Sequence, residues 1–161
     1  MSTLSLFSDG SVNPKTQVGY GAYLAFIGPI PSLAFLQTQI QVRRFEATSS
    51  TQLELQNLIG ALEEVKDKAT KYIIYTDSQH IIRLLERRSR LEKNNYCSKK
   101  GKRLKQADLY QAFYQLIDQL ACEFIKVKGH QASRHKEEID QVFTLVDKAA
   151  RLAIRQEKPS V

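Results

Sequence analysis

The segment LSLFSDGS, residues 4–11, decides the fold of this chain. It is a short apolar run that ends in a carboxylate and a glycine, which predicts a β-strand closed by Asp9. The segment YIIYTDSQ, residues 72–79, repeats the pattern with Asp77 after a second apolar run. Because the carboxyl ends of neighbouring parallel strands meet at one edge of a sheet, the two segments predict that Asp9 and Asp77 lie close together.

Two further acidic residues lie in segments with helical periodicity. Glu54 belongs to STQLELQNLIGALEEV, residues 50–65, and Asp147 belongs to FTLVDKAARLAI, residues 143–154. Carboxylates that converge repel and desolvate one another, so a cluster of four is stable only if it shares protons or binds cations. The sequence therefore predicts a divalent-metal site and metal-assisted chemistry.

Three of these acids also have a purely structural interpretation. Asp9 precedes Gly10 and can form a turn, and Asp77 precedes Ser78 and can cap a helix. Glu54 lies three residues after Thr51, which is the spacing of a capping box. The metal-site hypothesis therefore depends on the four acids jointly rather than on any one of them.

The hydrophobic pattern predicts the element order β-β-β-α-β-α-α-β-α. A meander of three strands followed by alternating helices and strands indicates an α/β fold with one five-stranded mixed sheet, three strands antiparallel and then two parallel, flanked by helices. The strands are expected at residues 4–8, 18–26, 34–45, 72–76 and 123–128, and the helices at residues 50–69, 78–88, 107–120 and along one C-terminal stripe.

The composition is that of an ordinary globular protein. The chain has 161 residues, of which 42% are hydrophobic and 25% charged, so we expect a single domain over residues 1–161. No apolar run approaches the roughly 20 residues that cross a bilayer, and the first residues carry no basic segment ahead of an apolar stretch. We therefore expect a cytoplasmic monomer without a membrane partner, in which Cys97 and Cys122 are free thiols.

The positive charge is concentrated in one window. The formal net charge is +7, and residues 83–105 carry ten basic and two acidic residues, which leaves −1 for the rest of the chain. Such a segment on a near-neutral body favours a polyanionic partner. The alternative is a solvated basic loop without a partner, and the charge pattern alone does not decide between the two.

Six motifs in order resemble the type 1 ribonuclease H family over nearly the whole chain: SDGS with GYGA, LEL, YTDSQ, ADLY, VKGHQ and VDKAARLA. The resemblance implies a ribonuclease H-like fold with a basic protrusion at about residues 86–106. It also implies an endonuclease that hydrolyses the RNA strand of RNA–DNA hybrids.

The resemblance assigns roles to individual residues. Asp9, Glu54, Asp77 and Asp147 match the metal-binding acids of the family, and His130 matches its loop histidine, to which we assign proton transfer or product release. The implied cofactor is a pair of Mg²⁺ ions about 4 Å apart, with Mn²⁺ as a possible substitute. Carboxylate oxygens are the ligands that Mg²⁺ prefers, which agrees with this set of residues.

The fourth acid has a competitor. Asp140 follows His130 by ten residues, the spacing that the family more often has, whereas the motif around Asp147 resembles the family's helix start. The two residues are seven apart, or roughly 10 Å along a continuous helix, so one of them at most joins a compact metal pair. We expect that residue to be Asp147.

Substrate contacts are expected from polar and basic side chains that recognise hybrid shape and 2′-hydroxyls with little base preference. The chain has no Trp, which the family often places near the protrusion, and Tyr96 and Tyr110 are candidate replacements. The expected contact residues are Gly10, Ser11, Ser50, Thr51, Gln52, Gln79, Lys99, Lys100, Lys102 and Arg103.

Two other functions fit the same fold. One is a different enzyme, such as a resolvase or transposase core, against which the VKGH and LEL motifs argue. The other is a non-catalytic module that binds RNA–DNA hybrid or double-stranded RNA. The retained acids argue against that module, because a cluster of carboxylates repels phosphate.

Overall fold

One mixed sheet organises the chain in the computed structural model, which describes residues 2–128 and 137–158. The sheet order is β3-β2-β1-β4-β5, and helices pack on both of its faces. The elements in this part of the chain are β1 (Thr3–Asn13), β2 (Val18–Ile27), α1 (Leu33–Gln39), β3 (Gln41–Phe45), α2 (Ser50–Val65), β4 (Lys71–Thr76), α3 (Gln79–Lys93), α4 (Ala107–Gln119), β5 (Cys122–Lys126) and α5 (Glu138–Arg155).

The strand directions confirm the predicted topology. β2 pairs antiparallel with both β1 and β3, while β4 pairs parallel with β1 and with β5. The parallel ladder between β1 and β4 ends with Phe7 opposite Tyr75. Asp9 and Asp77 each lie two residues further along, so the same register brings them to one edge of the sheet.

The third predicted strand is wrong in its first half. Residues 33–39 form the short helix α1, and only Gln41–Phe45 pairs with β2. Ser32 begins the helix, because its hydroxyl accepts a hydrogen bond from the backbone N–H of Phe35 over 3.2 Å. The alternation from Leu36 to Val42 resembles that of a strand, but a serine cap after two prolines starts a helix instead.

β1 is longer than the sequence predicts. The apolar pattern ends at Ser8, yet the strand runs to Asn13 because β2 continues to pair with it beyond the end of the β4 ladder. Asp9 therefore lies inside an antiparallel pair, opposite Ala22, and not in a turn. The predicted position of Asp9 relative to β4 is nevertheless correct. The part of β1 that pairs with β4 ends at Phe7, two residues before Asp9.

Two apolar layers hold the helices on the sheet. Leu6 and Ile74 face α2, α3 and α4, whereas Phe7 and Tyr75 face α1 and α5. The rings of Phe7 and Tyr75 stack with centroids 4.4 Å apart. This contact stabilises the pairing of β1 with β4 two residues before Asp9 and Asp77. None of the helices in residues 2–128 and 137–158 is long and apolar enough to cross a membrane.

Candidate active site

Asp9 and Asp77 lie together at the edge of the sheet. Asp9 is only 8% exposed, and its pKa is raised to about 9, first by burial and then by the charge of Asp77 and a hydrogen bond with Asp147. Burial and the charge of Asp147 raise the pKa of Asp77 as well, while a hydrogen bond with Asp9 partly offsets that increase.

The continuous helix α5 supplies the third acid. It packs on β1 and β2 and presents Asp147 to Asp9. Arg151, one turn later, forms a salt bridge with Asp147, with Nε 3.1 Å from Oδ1. Asp140 lies on the first turn of α5 and is not among the groups that affect the pKa of Asp9 or Asp77. The structure therefore brings Asp147, rather than Asp140, to the other acids.

Glu54 reaches the same edge from α2. The hydroxyl of Ser78 donates to Glu54 Oε2 over 2.5 Å. Burial raises the pKa of Glu54, the Ser78 hydrogen bond lowers it, and the charge of Asp77 raises it. Ser49, and not Ser50 or Thr51, caps α2, and Ser78 caps α3. The helix-capping roles that the sequence offers for Glu54 and Asp77 are therefore filled by serines.

Glycines let α2 approach the sheet closely beside this cluster. Gly10 and Gly21 lie directly opposite each other in β1 and β2. A Cβ atom at Gly10 would lie 3.1 Å from Leu53 of α2, and one at Gly19 would lie 2.7 Å from the same side chain. Larger residues would push the helix outward, so these glycines determine how near Glu54 comes to Asp9.

The four acids suit a hard divalent cation. All their ligand atoms are carboxylate oxygens. The pKa of Asp9 is raised by burial and by the negative charges of neighbouring carboxylates, and a bound dication would offset the repulsion between these carboxylates. Within residues 2–128 and 137–158, no three acidic, histidine or cysteine side chains already surround a common point as ion ligands. The Asp9 side chain instead hydrogen-bonds with those of Asp77 and Asp147, as carboxyl groups do when they share a proton.

The predicted substrate residues surround the acidic cluster unevenly. Ser50 and Thr51 are exposed on the first turn of α2, while the Gln52 carboxamide oxygen accepts from Gln106 over 3.3 Å. Gln79 is exposed at the start of α3 and hydrogen-bonds with the Lys126 ammonium, a neighbour that the sequence did not indicate. Gly10 and Ser11 lie on β1, immediately after Asp9.

The predicted basic residues do not all project freely. Residues 97–103, here called the basic hairpin, are closed by a bridge between Cys97 and Arg103 and turn at Gly101, whose φ is +78°. Its tip carries Lys99, Lys100 and Lys102, all exposed.

Arg103, in contrast, donates to Asp108 over 2.6 Å and to Gln111 over 3.1 Å. Arg88 donates to both carboxylate oxygens of Asp118 and lies over the ring of Tyr114. Sequence reasoning missed these ion pairs, because their acidic members belong to the helix that follows the basic window.

The remaining predicted residues are two tyrosines, one histidine and two cysteines. Tyr96 and Tyr110 are each 8% exposed and belong to the apolar core that α2, α3 and α4 form with the sheet. His130 lies outside the described residues. Cys97 and Cys122 are free thiols, as predicted.

The fold and the site together define a class of α/β protein with a carboxylate centre at the edge of a mixed sheet. The family model for RNase H matches residues 1–151. The chain therefore belongs to the ribonuclease H family.

Relatives match along most of the chain. Ribonuclease H of Syntrophomonas wolfei is 27% identical over 147 residues, covering 88% of this chain and 94% of that protein. Ribonuclease H of Chlorobaculum parvum is 26% identical over 160 residues, covering 96% and 97%. These matches are consistent with the resemblance to the type 1 branch.

Solved structures share the fold. LC9-RNase H1, a type 1 RNase H with the type 2 active-site motif, has a TM-score of 0.69 at 18% identity over 98% of this chain and 74% of that one. A foamy viral protease-reverse transcriptase in complex with RNA/DNA hybrid has a TM-score of 0.67 at 12% identity. That match covers 94% of this chain and 19% of the viral one.

Proposed function

We propose that this chain is an endonuclease that hydrolyses the RNA strand of RNA–DNA hybrids with divalent metal ions. The observation that carries the proposal is the group formed by Asp9, Asp77 and Asp147, with Glu54 beside it. Membership of the ribonuclease H family supports the activity and the substrate. Members of this family generally use divalent metal ions, and the carboxylate donors here favour Mg²⁺, with Mn²⁺ as a substitute.

The acids are proposed to act as ligands. Asp9, Glu54, Asp77 and Asp147 would hold two Mg²⁺ ions, which when bound supply a hydroxide nucleophile and stabilise the leaving oxygen. Asp9 must first release its proton, because the raised pKa keeps its carboxyl neutral at neutral pH. Ser78 orients Glu54 by donating to one of its oxygens. His130 remains our candidate for proton transfer or product release.

Substrate recognition is proposed to use two surfaces. Gly10, Ser11, Ser50, Thr51, Gln52 and Gln79 surround the acids and would contact the minor groove and its 2′-hydroxyls. The exposed ammonium groups of the basic hairpin would contact phosphates, which set affinity rather than base preference. Arg103 is expected to contribute less than an unpaired arginine, since it already forms an exposed salt bridge with Asp108.

We further propose that residues 1–161 act as one ribonuclease H-like domain, with the basic protrusion at about residues 86–106. A monomeric state and a cytoplasmic location without a membrane partner stay predictions.

A cleavage assay tests this function directly. End-labelled RNA–DNA hybrid, duplex DNA and duplex RNA are incubated with the protein and Mg²⁺, and Asp77→Asn is the matched variant. We expect the wild type to cut only the RNA of the hybrid and the variant to bind the hybrid without cutting it. Equal cutting of duplex DNA would instead indicate another enzyme of this fold. Binding without cutting by the wild type, in Mg²⁺ or Mn²⁺, would indicate the non-catalytic module.

A further inference from the structure

Asn57 connects the helix of Glu54 to the strand of Asp9. It lies three residues after Glu54 on α2 and is only 2% exposed. Its amide nitrogen donates to the backbone carbonyl of Asp9 over 3.2 Å and to that of Ala22 over 2.9 Å. Asp9 and Ala22 are direct partners in the β1–β2 ladder. One side chain thus ties α2 to both strands at the level of Asp9.

The space for this side chain is provided by Gly21. A Cβ atom at Gly21 would lie 2.4 Å from the Asn57 side chain, so any larger residue there would displace the amide. The fit is close, yet it leaves Asn57 Oδ1 buried without a hydrogen-bond partner among the described residues. A buried unpaired oxygen destabilises a fold, whereas an apolar residue at this position would avoid that cost. Packing alone therefore does not account for an asparagine here.

We propose that Asn57 is a positioning residue that fixes the distance between Asp9 and Glu54, so that both can bind the same metal centre. The inference rests on the proposed function and concerns its metal site. Glu54 is carried by α2, and Asp9 by β1, so their separation depends on how the helix lies on the strand. Apolar contacts, such as that of Leu53 with the strands, allow α2 to slide along the sheet. The hydrogen bonds from Asn57 to the carbonyls of Asp9 and Ala22 restrict both the distance and the register between α2 and the two strands.

Metal binding itself provides the test. Mn²⁺ is titrated calorimetrically into the full chain as the wild type, as Asn57→Ala and as Leu62→Ala. Leu62 is a matched control, because it is fully buried on the same helix but packs in the core away from the acids. We expect Asn57→Ala to raise the Mn²⁺ dissociation constant about tenfold, as loss of an orienting partner does at other metal sites. Leu62→Ala should destabilise the fold without changing that constant.

Cleavage of the hybrid gives a second readout. For Asn57→Ala, the Mg²⁺ concentration for half-maximal cleavage should rise about tenfold, while kcat at saturating Mg²⁺ stays close to the wild-type value. If Asn57→Ala does not fold, Gly21→Ala replaces it, because its methyl group would displace the Asn57 amide. The same weakening of Mn²⁺ binding is expected from that variant.

Three outcomes separate this inference from the proposed function. Unchanged Mn²⁺ affinity in Asn57→Ala, or equal weakening in Leu62→Ala, would overturn the positioning role while the nuclease stands. Mn²⁺ binding by a wild type that cuts no hybrid would overturn the nuclease, and the calorimetric comparison would still decide the role of Asn57. A wild type that binds no Mn²⁺ would overturn both.

Discussion

Ser78 donates a hydrogen bond from its hydroxyl to Glu54 over 2.5 Å, and the same oxygen accepts from the backbone N–H of Ile81 at the start of α3. One serine therefore caps the helix that follows Asp77 and orients an acid carried by a different helix. Ser78 directly follows Asp77 in the sequence YTDSQ, so a single side chain links the segment after β4 to α2.

Replacement of Ser78 tests this link. Ser78→Ala should lower the free energy of unfolding by about 1 kcal/mol through loss of the cap, and it should also raise the Mg²⁺ concentration needed for cleavage. Ser49→Ala is the matched control, because Ser49 caps α2 by accepting from Gln52 and does not hydrogen-bond with Glu54. Chemical denaturation and Mg²⁺ titrations measure both effects. Equal Mg²⁺ dependence in the two variants would contradict the orienting role.

The raised pKa of Asp9 predicts how the metal-free protein responds to pH. Unfolded Asp9 ionises near 3.8 and folded Asp9 near 9, so between these values the folded state holds the extra proton. This contribution to stability is complete below about pH 4 and is lost as the pH rises towards about 9. Asp9→Asn cannot ionise, and so its melting temperature in EDTA should exceed that of the wild type by a margin that grows with pH. A margin that stays constant or shrinks with rising pH would refute the assignment.

Metal binding should release a proton. Because Asp9 is protonated at neutral pH, a cation must displace that proton, and the apparent affinity for Mg²⁺ or Mn²⁺ should increase as the pH rises towards about 9. Calorimetric titrations in two buffers of different ionisation enthalpy measure the protons released. Binding heats that do not depend on the buffer would show that the Asp9 carboxyl is already ionised or is not a ligand.

The basic hairpin yields a prediction about salt. Changing Lys99, Lys100 and Lys102 to Gln should weaken hybrid binding and reduce the slope of log affinity against log salt by roughly one for each phosphate that the protein no longer neutralises. Arg103→Gln is the control to be set against each single lysine change, since it removes one positive charge from a side chain already paired with Asp108. Fluorescence anisotropy at several salt concentrations makes the comparison. Unchanged affinity of the lysine variant at low salt would mean that the hairpin does not contact the nucleic acid.

The sequence predicted the parts of the site that depend on strand direction. Two apolar runs that each end near an aspartate suffice to place Asp9 and Asp77 together once the strands are parallel, and the length of β1 beyond Asp9 does not alter that. The helix α1 was missed because its short apolar pattern also has a period of two, and only the Ser32 cap decides between helix and strand.

Other features depend on contacts between distant segments. In the sequence, Asn57 is one polar residue within an apolar helical stripe. Its hydrogen bonds to the strands are evident only from the structure, where Gly21 leaves room for its side chain. The pairing of Arg103 with Asp108 depends on how the hairpin lies against the start of α4. The motif around Asp147 already favoured that residue over Asp140, and its contact with Asp9 depends on how the continuous helix α5 lies on the sheet.

The measurement that tests the central claim most directly is an anomalous difference map from a crystal of the wild type soaked in Mn²⁺. Our account predicts a peak at the edge of the sheet within about 2.3 Å of carboxylate oxygens of both Asp9 and Asp77, as expected for a hard cation. Carboxyl groups of Asp9 and Asp77 that point apart, with no ion between them, would contradict it.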